Sequence, residues 1–285
     1  MTVVPGAQEL SLRDPARAAA YAHLLDDLVD ELRRFEWTEV PCAVCGEGQD
    51  LPVAFEKHGL SIRRCASCSH VFVSPRLPDA AVPTVYATAY WDGYMRALGR
   101  PMLEERLVVD YQNAWDRLRR DILPRRSSGR LLDVGTASGG LVKAAGESGF
   151  DAIGIEPSTA ACELARRAHG IDPICATLPE YDAAPESFDV ICYYNVLEHL
   201  LDPRRDLEAV RRMLAPGGLL VIEAPTAGSL ALAEDGLDWP ALEPLEHVHL
   251  FNEGNAARLA EDCGLRVLDL YCPHEDAWIL IGEPA

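Results

Sequence analysis

The stretch Leu131–Leu132–Asp133–Val134–Gly135–Thr136–Ala137–Ser138–Gly139–Gly140 constrains the fold more than any other part of this chain. Two hydrophobic residues and a carboxylate end an expected strand, and a run of small residues turns the backbone into an expected helix over 141–148. Small side chains let backbone approach a ligand closely. A second apolar stretch, 152–155, ends in Glu156, 23 residues after Asp133. A glycine-rich turn followed at about 20 residues by an acid is a physical plan for holding an adenosine, with backbone for the close approach and carboxylate for the ribose hydroxyls.

Around this unit, strands and helices alternate. Expected strands are 130–134, 151–155, a short one near 171–175, 188–193, 219–223, and two near 266–271 and 277–281. Expected helices are 139–148, 158–169, one that includes 203–214, and 253–263. Apolar strands bounded by helices imply a mostly parallel sheet covered on both faces, with the last two strands as an antiparallel edge hairpin. Ligands in such α/β sheets sit beyond the carboxyl ends of the strands. Those ends carry Asp133–Gly135, Glu156, Cys175–Leu178, Tyr194–Asn195 and Glu223–Thr226. Residues 226–244 are long for a connection and read as a lid insertion, with Trp239 and Leu242 either lining a pocket or packing the lid.

Ahead of this domain lie two paired cysteines, Cys42–x2–Cys45 and Cys65–x2–Cys68, separated by 19 residues. Four thiolates satisfy tetrahedral Zn2+, and a filled shell leaves no open position, so the spacing predicts a structural rather than a catalytic ion. The alternative is four free thiols in a small apolar subdomain. Residues 1–12 read as a tail, and Ala16–Phe35 as an amphipathic helix that packs within the chain or on a second subunit. Four aromatics within 85–94, Tyr86 and Tyr90 among them, line a pocket or pack a linker, and 102–123 is a further helix. The expected organisation is tail and helix 1–38, zinc module 39–76, aromatic linker and helix 77–124, and α/β domain 125–285.

Charge narrows the function classes. With 45 acids against 26 Lys and Arg the net charge is −19, which opposes binding to a phosphate backbone. Short basic pairs such as Arg119–Arg120 read as solvated faces. The other five cysteines, Cys162 and Cys175 among them, are scattered among apolar residues, which argues against a disulfide framework. No run of 18 apolar residues and no signal peptide is visible, so the expectation is no membrane span and a cytoplasmic protein, monomeric or homodimeric.

The motifs in order resemble the class I S-adenosylmethionine-dependent methyltransferases of the small-molecule branch. Leu131–Gly140 is similar to that family's first motif, Gly154–Ile155–Glu156–Pro157–Ser158 to its acidic ribose loop, Ser187–Ile191 with Asn195–Val196–Leu197–Glu198–His199 to its fourth-strand motif, and Leu214–Leu220 to the turn before its fifth strand. The one departure is Ala137, where the family usually has its middle glycine. The resemblance implies a Rossmann-like methyltransferase fold and S-adenosylmethionine as cofactor. It implies that Glu156 accepts hydrogen bonds from the ribose hydroxyls, with Pro157 in the same loop. The Gly135, Thr136, Ala137 and Gly139 turn meets the methionine portion, with Asp133 fixing it. Thr177 and Leu178 lie by the adenine, and Tyr194 and Asn195 beside the sulfonium. A nicotinamide cofactor is the competing reading, but the turn lacks its glycine spacing.

Methyl transfer requires alignment, desolvation and, where needed, a base, for which histidine is the usual residue. His199, His247 and His249 compete for that role. The paired-cysteine module joined to this domain resembles the sugar C-methyltransferases of antibiotic biosynthesis, in which a Glu–His pair ahead of an aromatic residue handles substrate. Glu246–His247, followed by Phe251, is similar, and Tyr86 and Tyr90 match that group's substrate-facing tyrosine. The reading is therefore His247 as base with Glu246 orienting it or the substrate. Against it stands His247 as a residue that merely closes the loop. The large C-terminal domain of the sugar enzymes does not follow here, so O- or N-methylation of a small molecule stays open. RNA base methylation and a non-catalytic scaffold are the remaining alternatives.

Overall fold

The computed structural model describes residues 15–48, 51–85, 100–228, 236–239 and 241–285. Tyr86 and Tyr90 lie outside the described residues, as does the tail. The first element is helix α1 (Pro15–Leu32), followed by strands β1 (Val53–Lys57), β2 (Leu60–Arg64) and β3 (Val71–Val73). A one-turn helix α2 (Val82–Val85) precedes α3 (Arg100–Arg117), which widens into a π turn over Leu118–Ile122. Then come β4 (Gly129–Val134), α4 (Gly140–Glu147), β5 (Phe150–Ile155), α5 (Thr159–His169), β6 (Phe188–Tyr194) and α6 (Pro203–Met213). The chain ends with β7 (Leu214–Pro225), β8 (His249–Leu250), α7 (Glu253–Asp262), β9 (Leu265–His274) and β10 (Ala277–Pro284).

Local chemistry sets the helix ends. The Ser158 hydroxyl accepts the Ala161 N–H to start α5, which stops at Gly170 in the left-handed region. Asp202 caps α6 ahead of Pro203, and Asn252 and Asn255 cap α7 reciprocally.

The main sheet has the order β5-β4-β6-β7-β10-β9. The first four strands are parallel, and β10 is antiparallel to both of its neighbours. Alternate residues feed two cores. Leu132, Ile191, Tyr193, Ile222 and Trp278 bury on one face, and Leu131, Val190, Val221 and Ile279 on the other beneath Leu118 and Ile122. Burial on both faces explains why these strands read as nearly unbroken apolar runs. The fold is thus the expected α/β arrangement with a mostly parallel sheet.

Several local expectations are corrected. The strand near 171–175 is a single bridge from Ile174 to Ile155. The strand after Pro216–Gly217–Gly218 already begins at Leu214. Phe188 faces Leu214 and Val190 faces Leu219, so the Pro–Gly–Gly turn bulges from within β7. Cys162 and Cys175, distant in the linear pattern, form a disulfide.

A second sheet has the order β1-β2-β3-β8, and its fourth strand comes from the connection after β7. Cys42, Val44, Cys65 and Phe72 bury in the same core as Ile222, Phe251 and Trp278, so the cysteine segment shares a core with the main sheet. Leu25, Leu28, Val29 and Leu32 of α1 pack on Leu60, Ala81, Val85 and Leu245 of the same chain, which answers the partner question for that helix. Trp239 and Leu242 pack against Ile62, Val71, Val73 and Val248. They pack on the second sheet rather than line a pocket. Among the described residues no helix is long and apolar enough to cross a membrane.

Candidate functional site

The turn after β4 is pinned to the end of β5. The Gly135 and Thr136 N–H groups both donate to the Ile155 carbonyl, at 2.8 and 3.0 Å. Gly135 has φ 72°, and a Cβ there would lie 2.5 Å from Val196, so the position admits only glycine. Ala137 takes φ 47°, a left-handed conformation that glycine adopts without cost. Its N–H donates to Glu156 Oε2 at 3.0 Å, and the Ser158 N–H donates to Oε1 at 2.9 Å. Each carboxylate oxygen keeps a further acceptor site. Burial pushes the Glu156 carboxyl up to about 7 against the pull of these two N–H groups. Asp133, also buried, is pushed up to about 7 for the same reason. Pro157 is half-buried beside Glu156, and Gly139 donates to the Thr136 carbonyl as α4 starts. Asn195, exposed at the end of β6, has φ 56° and donates its N–H to the Glu223 carbonyl at 2.8 Å.

Three residues expected at the cofactor also have partners within the chain. Leu178 is 2% exposed inside the main core and presents no open apolar face. The Thr177 N–H and hydroxyl bond to the Glu180 carboxylate, which closes a small cap. The Tyr194 hydroxyl donates to Asp121 Oδ2 at 2.9 Å, and the Arg117 guanidinium covers its ring at 4.7 Å. Tyr194 therefore belongs to a buried polar cluster. Arg120 bonds both oxygens of the fully buried Asp121, at 2.7 and 2.8 Å, and reaches Glu223, which Arg117 also binds. The Tyr271 hydroxyl completes it at 2.6 Å from Asp121. Arg120 is thus no solvated charge; with Arg117 it clamps the end of α3 over the ends of β6 and β7. Spacing gives no sign of this, because the partners lie 103 and 106 residues away.

Four residues after Asn195, His199 faces His247, their rings edge to face at 4.7 Å. His199 Nδ1 lies 2.7 Å from the Glu246 carbonyl, and His247 Nδ1 lies 2.7 Å from the Ala241 carbonyl. A carbonyl only accepts, so in each neutral ring Nδ1 carries the proton and Nε2 keeps its lone pair. Burial lowers both histidines from their ordinary range and so favours those neutral rings. Beside them Glu198 is 1% exposed, with Oε1 3.9 Å from His199 Nε2, and burial pushes it up to about 8. One ligand atom each from Glu198, His199 and His247 lie within 4.8 Å of one another. Such a trio can share a proton or hold a divalent cation. Sequence reasoning passed over Glu198, although it directly precedes His199 in the quoted motif.

The loop that carries His247 is fastened from several sides. The Glu243 carbonyl accepts the N–H groups of Glu246 and His247, at 3.0 and 2.7 Å. Its carboxylate meets Lys57 Nζ and His58 Nε2, each at 3.3 Å, in the β1–β2 turn. His58 Nδ1 lies 2.9 Å from Asp26 of α1, and the Glu243 contact raises the His58 pKa. His249 points inward, 2% exposed.

Cys42, Cys45, Cys65 and Cys68 bring their sulfurs within 4.8 Å of one another. The pairs Cys42–Cys68 and Cys45–Cys65 are each 3.5 Å apart. Tetrahedral zinc with Zn–S near 2.3 Å asks for about 3.8 Å between sulfurs, so the four residues fit that ion. The two knuckles repeat one backbone design. The Gly46 N–H donates to the Cys42 carbonyl and the Ser69 N–H to the Cys65 carbonyl, and both donors have positive φ. Arg204 of α6 donates to the Val44 carbonyl at 3.0 Å and so ties the first knuckle to the main domain.

Comparison with known proteins agrees with this geometry. Residues 108–270 match a methyltransferase domain family. Ubiquinone biosynthesis O-methyltransferases from Parvibaculum lavamentivorans and Nitrobacter winogradskyi are each 31% identical, over 166 and 169 residues. The alignments cover 53% and 54% of this chain and 66% and 64% of those enzymes, so the chain spans slightly less than two thirds of their length. Among solved structures, the PH0226 protein from Pyrococcus horikoshii superposes with a TM-score of 0.52 at 16% identity, covering 61% of this chain and 91% of that one. It shares the fold.

Proposed function

The chain belongs to this methyltransferase family, and from that membership we propose that it transfers the methyl group of S-adenosylmethionine to an oxygen of a small polar molecule, with His247 as the base. S-adenosylmethionine supplies the activated methyl group, and the chain supplies alignment, water exclusion and a proton acceptor. The observation that carries the reading is the His247 ring, held by the Ala241 carbonyl so that its Nε2 keeps a lone pair, in a cluster with Glu198 and His199. Glu156 accepts from the ribose hydroxyls with the acceptor sites its two N–H partners leave. Asp133, Gly135, Thr136, Ala137 and Gly139 cradle the methionine portion, with Pro157 and Asn195 at the rim. His199 and Glu198 receive or return the proton that His247 takes. Glu246 helps to orient this pair, since its carbonyl holds His199. The four cysteines hold a structural zinc ion in a module over 39–76, ahead of the catalytic domain at 125–285.

Oxygen as acceptor is supported by the names of the relatives, both O-methyltransferases. Carbon as acceptor is the second reading, supported by the paired-cysteine module beside Glu246–His247 and Phe251. The −19 charge opposes an RNA substrate. The test is methyl transfer from labelled S-adenosylmethionine to a panel of phenols, hydroxy acids and nucleotide sugars, with the product located by NMR. An O-methyl product is expected. A C-methyl product moves the assignment to the second reading, and labelled RNA in place of small molecules overturns both.

A further inference from the structure

The segment that carries His247 leaves the main sheet after β7 and is gripped by the cysteine module before it returns. On the outer side, β3 pairs with β8, with Val71 opposite Leu250 and Phe72 opposite His249, and the Val73 N–H donates to the Val248 carbonyl at 3.0 Å. On the inner side, Phe251 bridges Thr226, and its carbonyl accepts the Ala227 N–H at 2.7 Å. The residues next to His247 are therefore set by a strand that starts three positions after Cys68.

His70 stands between that thiol and that strand. It is fully buried, and its Nδ1 lies 3.3 Å from Cys42 Sγ. Its ring stacks on Phe72, His249 and Phe251, with centroids at 5.0, 5.1 and 4.7 Å and planes within 22°. Its Nε2 has no partner among the described residues. One ring thus touches a metal-site sulfur at one edge and, on its faces, both β3 and the stretch that follows His247. A flat ring in a tight stack turns only if its neighbours move with it.

We propose that His70 is a positioning residue that couples the four-sulfur site to the His247 loop, so that methyl transfer depends on an ion whose ligands take no part in the chemistry. This rests on the reading of His247 as base. Zinc, when bound, holds the four sulfurs at fixed separations and makes Cys42 a fixed acceptor for the His70 Nδ1–H. The ring then fixes His249 and Phe251, and with them the backbone at Val248.

The test compares the full chain with its His70→Phe variant, which keeps the stack but lacks the nitrogen. The first readout is hydrogen exchange at the Val73 amide, with zinc bound and after its chelation. In the unsubstituted chain, zinc removal is expected to speed this exchange by about tenfold or more, and in His70→Phe by less than about twofold. S-adenosylhomocysteine affinity is expected to stay within about twofold throughout, while kcat of His70→Phe falls about tenfold. Equal acceleration in both proteins overturns the proposal, because the module then loosens without using His70. So does an unchanged exchange rate in the unsubstituted chain. If His70→Phe does not fold, His70→Asn, which keeps a donor for Cys42 but loses the ring stack, is measured instead. It is expected to show the weakened coupling, and full coupling overturns the role of the stack. The exchange readout is independent of which residue is the base, so a failure of His247 in that role is seen separately, in the His247→Ala activity alone.

Discussion

In the turns after β4 and β5, Glu156 meets Ser158 and Ala137 across 2 and 19 residues of chain. At the histidine end, His199 meets Glu246 across 47 residues, and Lys57 reaches Leu242 across 185. The first region is two neighbouring strand ends and the turns between them. The second is assembled from α1, the β1–β2 turn, β3 and the connection after β7. A locally built site is pre-formed as soon as its strands pair. An assembled site is only as well placed as the separate pieces that hold it, which is why the loop has fastenings at Glu243, Val248 and Phe251.

Substitutions can break this contrast. The largest effect is expected for His247→Ala, which should lower kcat by about 10²- to 10⁴-fold while S-adenosylhomocysteine binds with unchanged affinity in calorimetry. A parallel loss of affinity would mean that the two regions are not separable. Glu156→Ala is the mirror experiment. It should weaken cofactor binding by about 10- to 100-fold, the usual worth of a charged hydrogen-bond acceptor, and leave the thiol site with its full zinc content.

Titration sharpens the same line. Glu156 titrates near 7, and its ionised form is the better acceptor for hydroxyls, so cofactor affinity should rise with pH up to about 7 and level off above it. Isothermal titration across that range measures it. His58 has the opposite sign for folding. Its folded pKa is raised above the ordinary 6.5, so the Glu243–His58–Asp26 bridge contributes stability below 6.5 that is lost as pH rises through the raised value. A His58→Ala variant should therefore melt lower than the parent at pH 6, with the gap narrowing at pH 9. The smallest effect belongs to Ala137→Gly. Relief of the left-handed alanine and the greater entropy of the unfolded glycine chain nearly offset, so the unfolding free energy from denaturant titration should change by less than about 1 kcal/mol in either direction.

The arrangement around Glu156 was legible for the same reason that it is local. Gly135, Ala137 and Glu156 sit where motif spacing puts them, and the odd residue of the turn turned out to be the strained one. The cysteine pairs were legible because four sulfurs at paired spacing have few other uses. The partners that Leu178 and Tyr194 find within the chain were not legible, because position along the chain does not tell which way a side chain turns. One entered the core and the other joined Asp121. Glu198 was hidden by its neighbour His199, and the clamp of Arg117 and Arg120 on Glu223 by more than a hundred residues of separation. The pairing of β3 with β8 has two partners on β8 and no periodicity to announce it.

The place of β10 has a consequence in time. It follows β9 in sequence, yet it lies between β7 and β9. While the protein is being made, β7 therefore waits with an open edge until residues 277–284 have emerged. An open edge of buried, apolar strand invites pairing with another chain. A chain cut short within β10 would have a main sheet that ends at β7, with the Ile222 row uncovered. The sheet is thus vulnerable until residues 277–284 have been made.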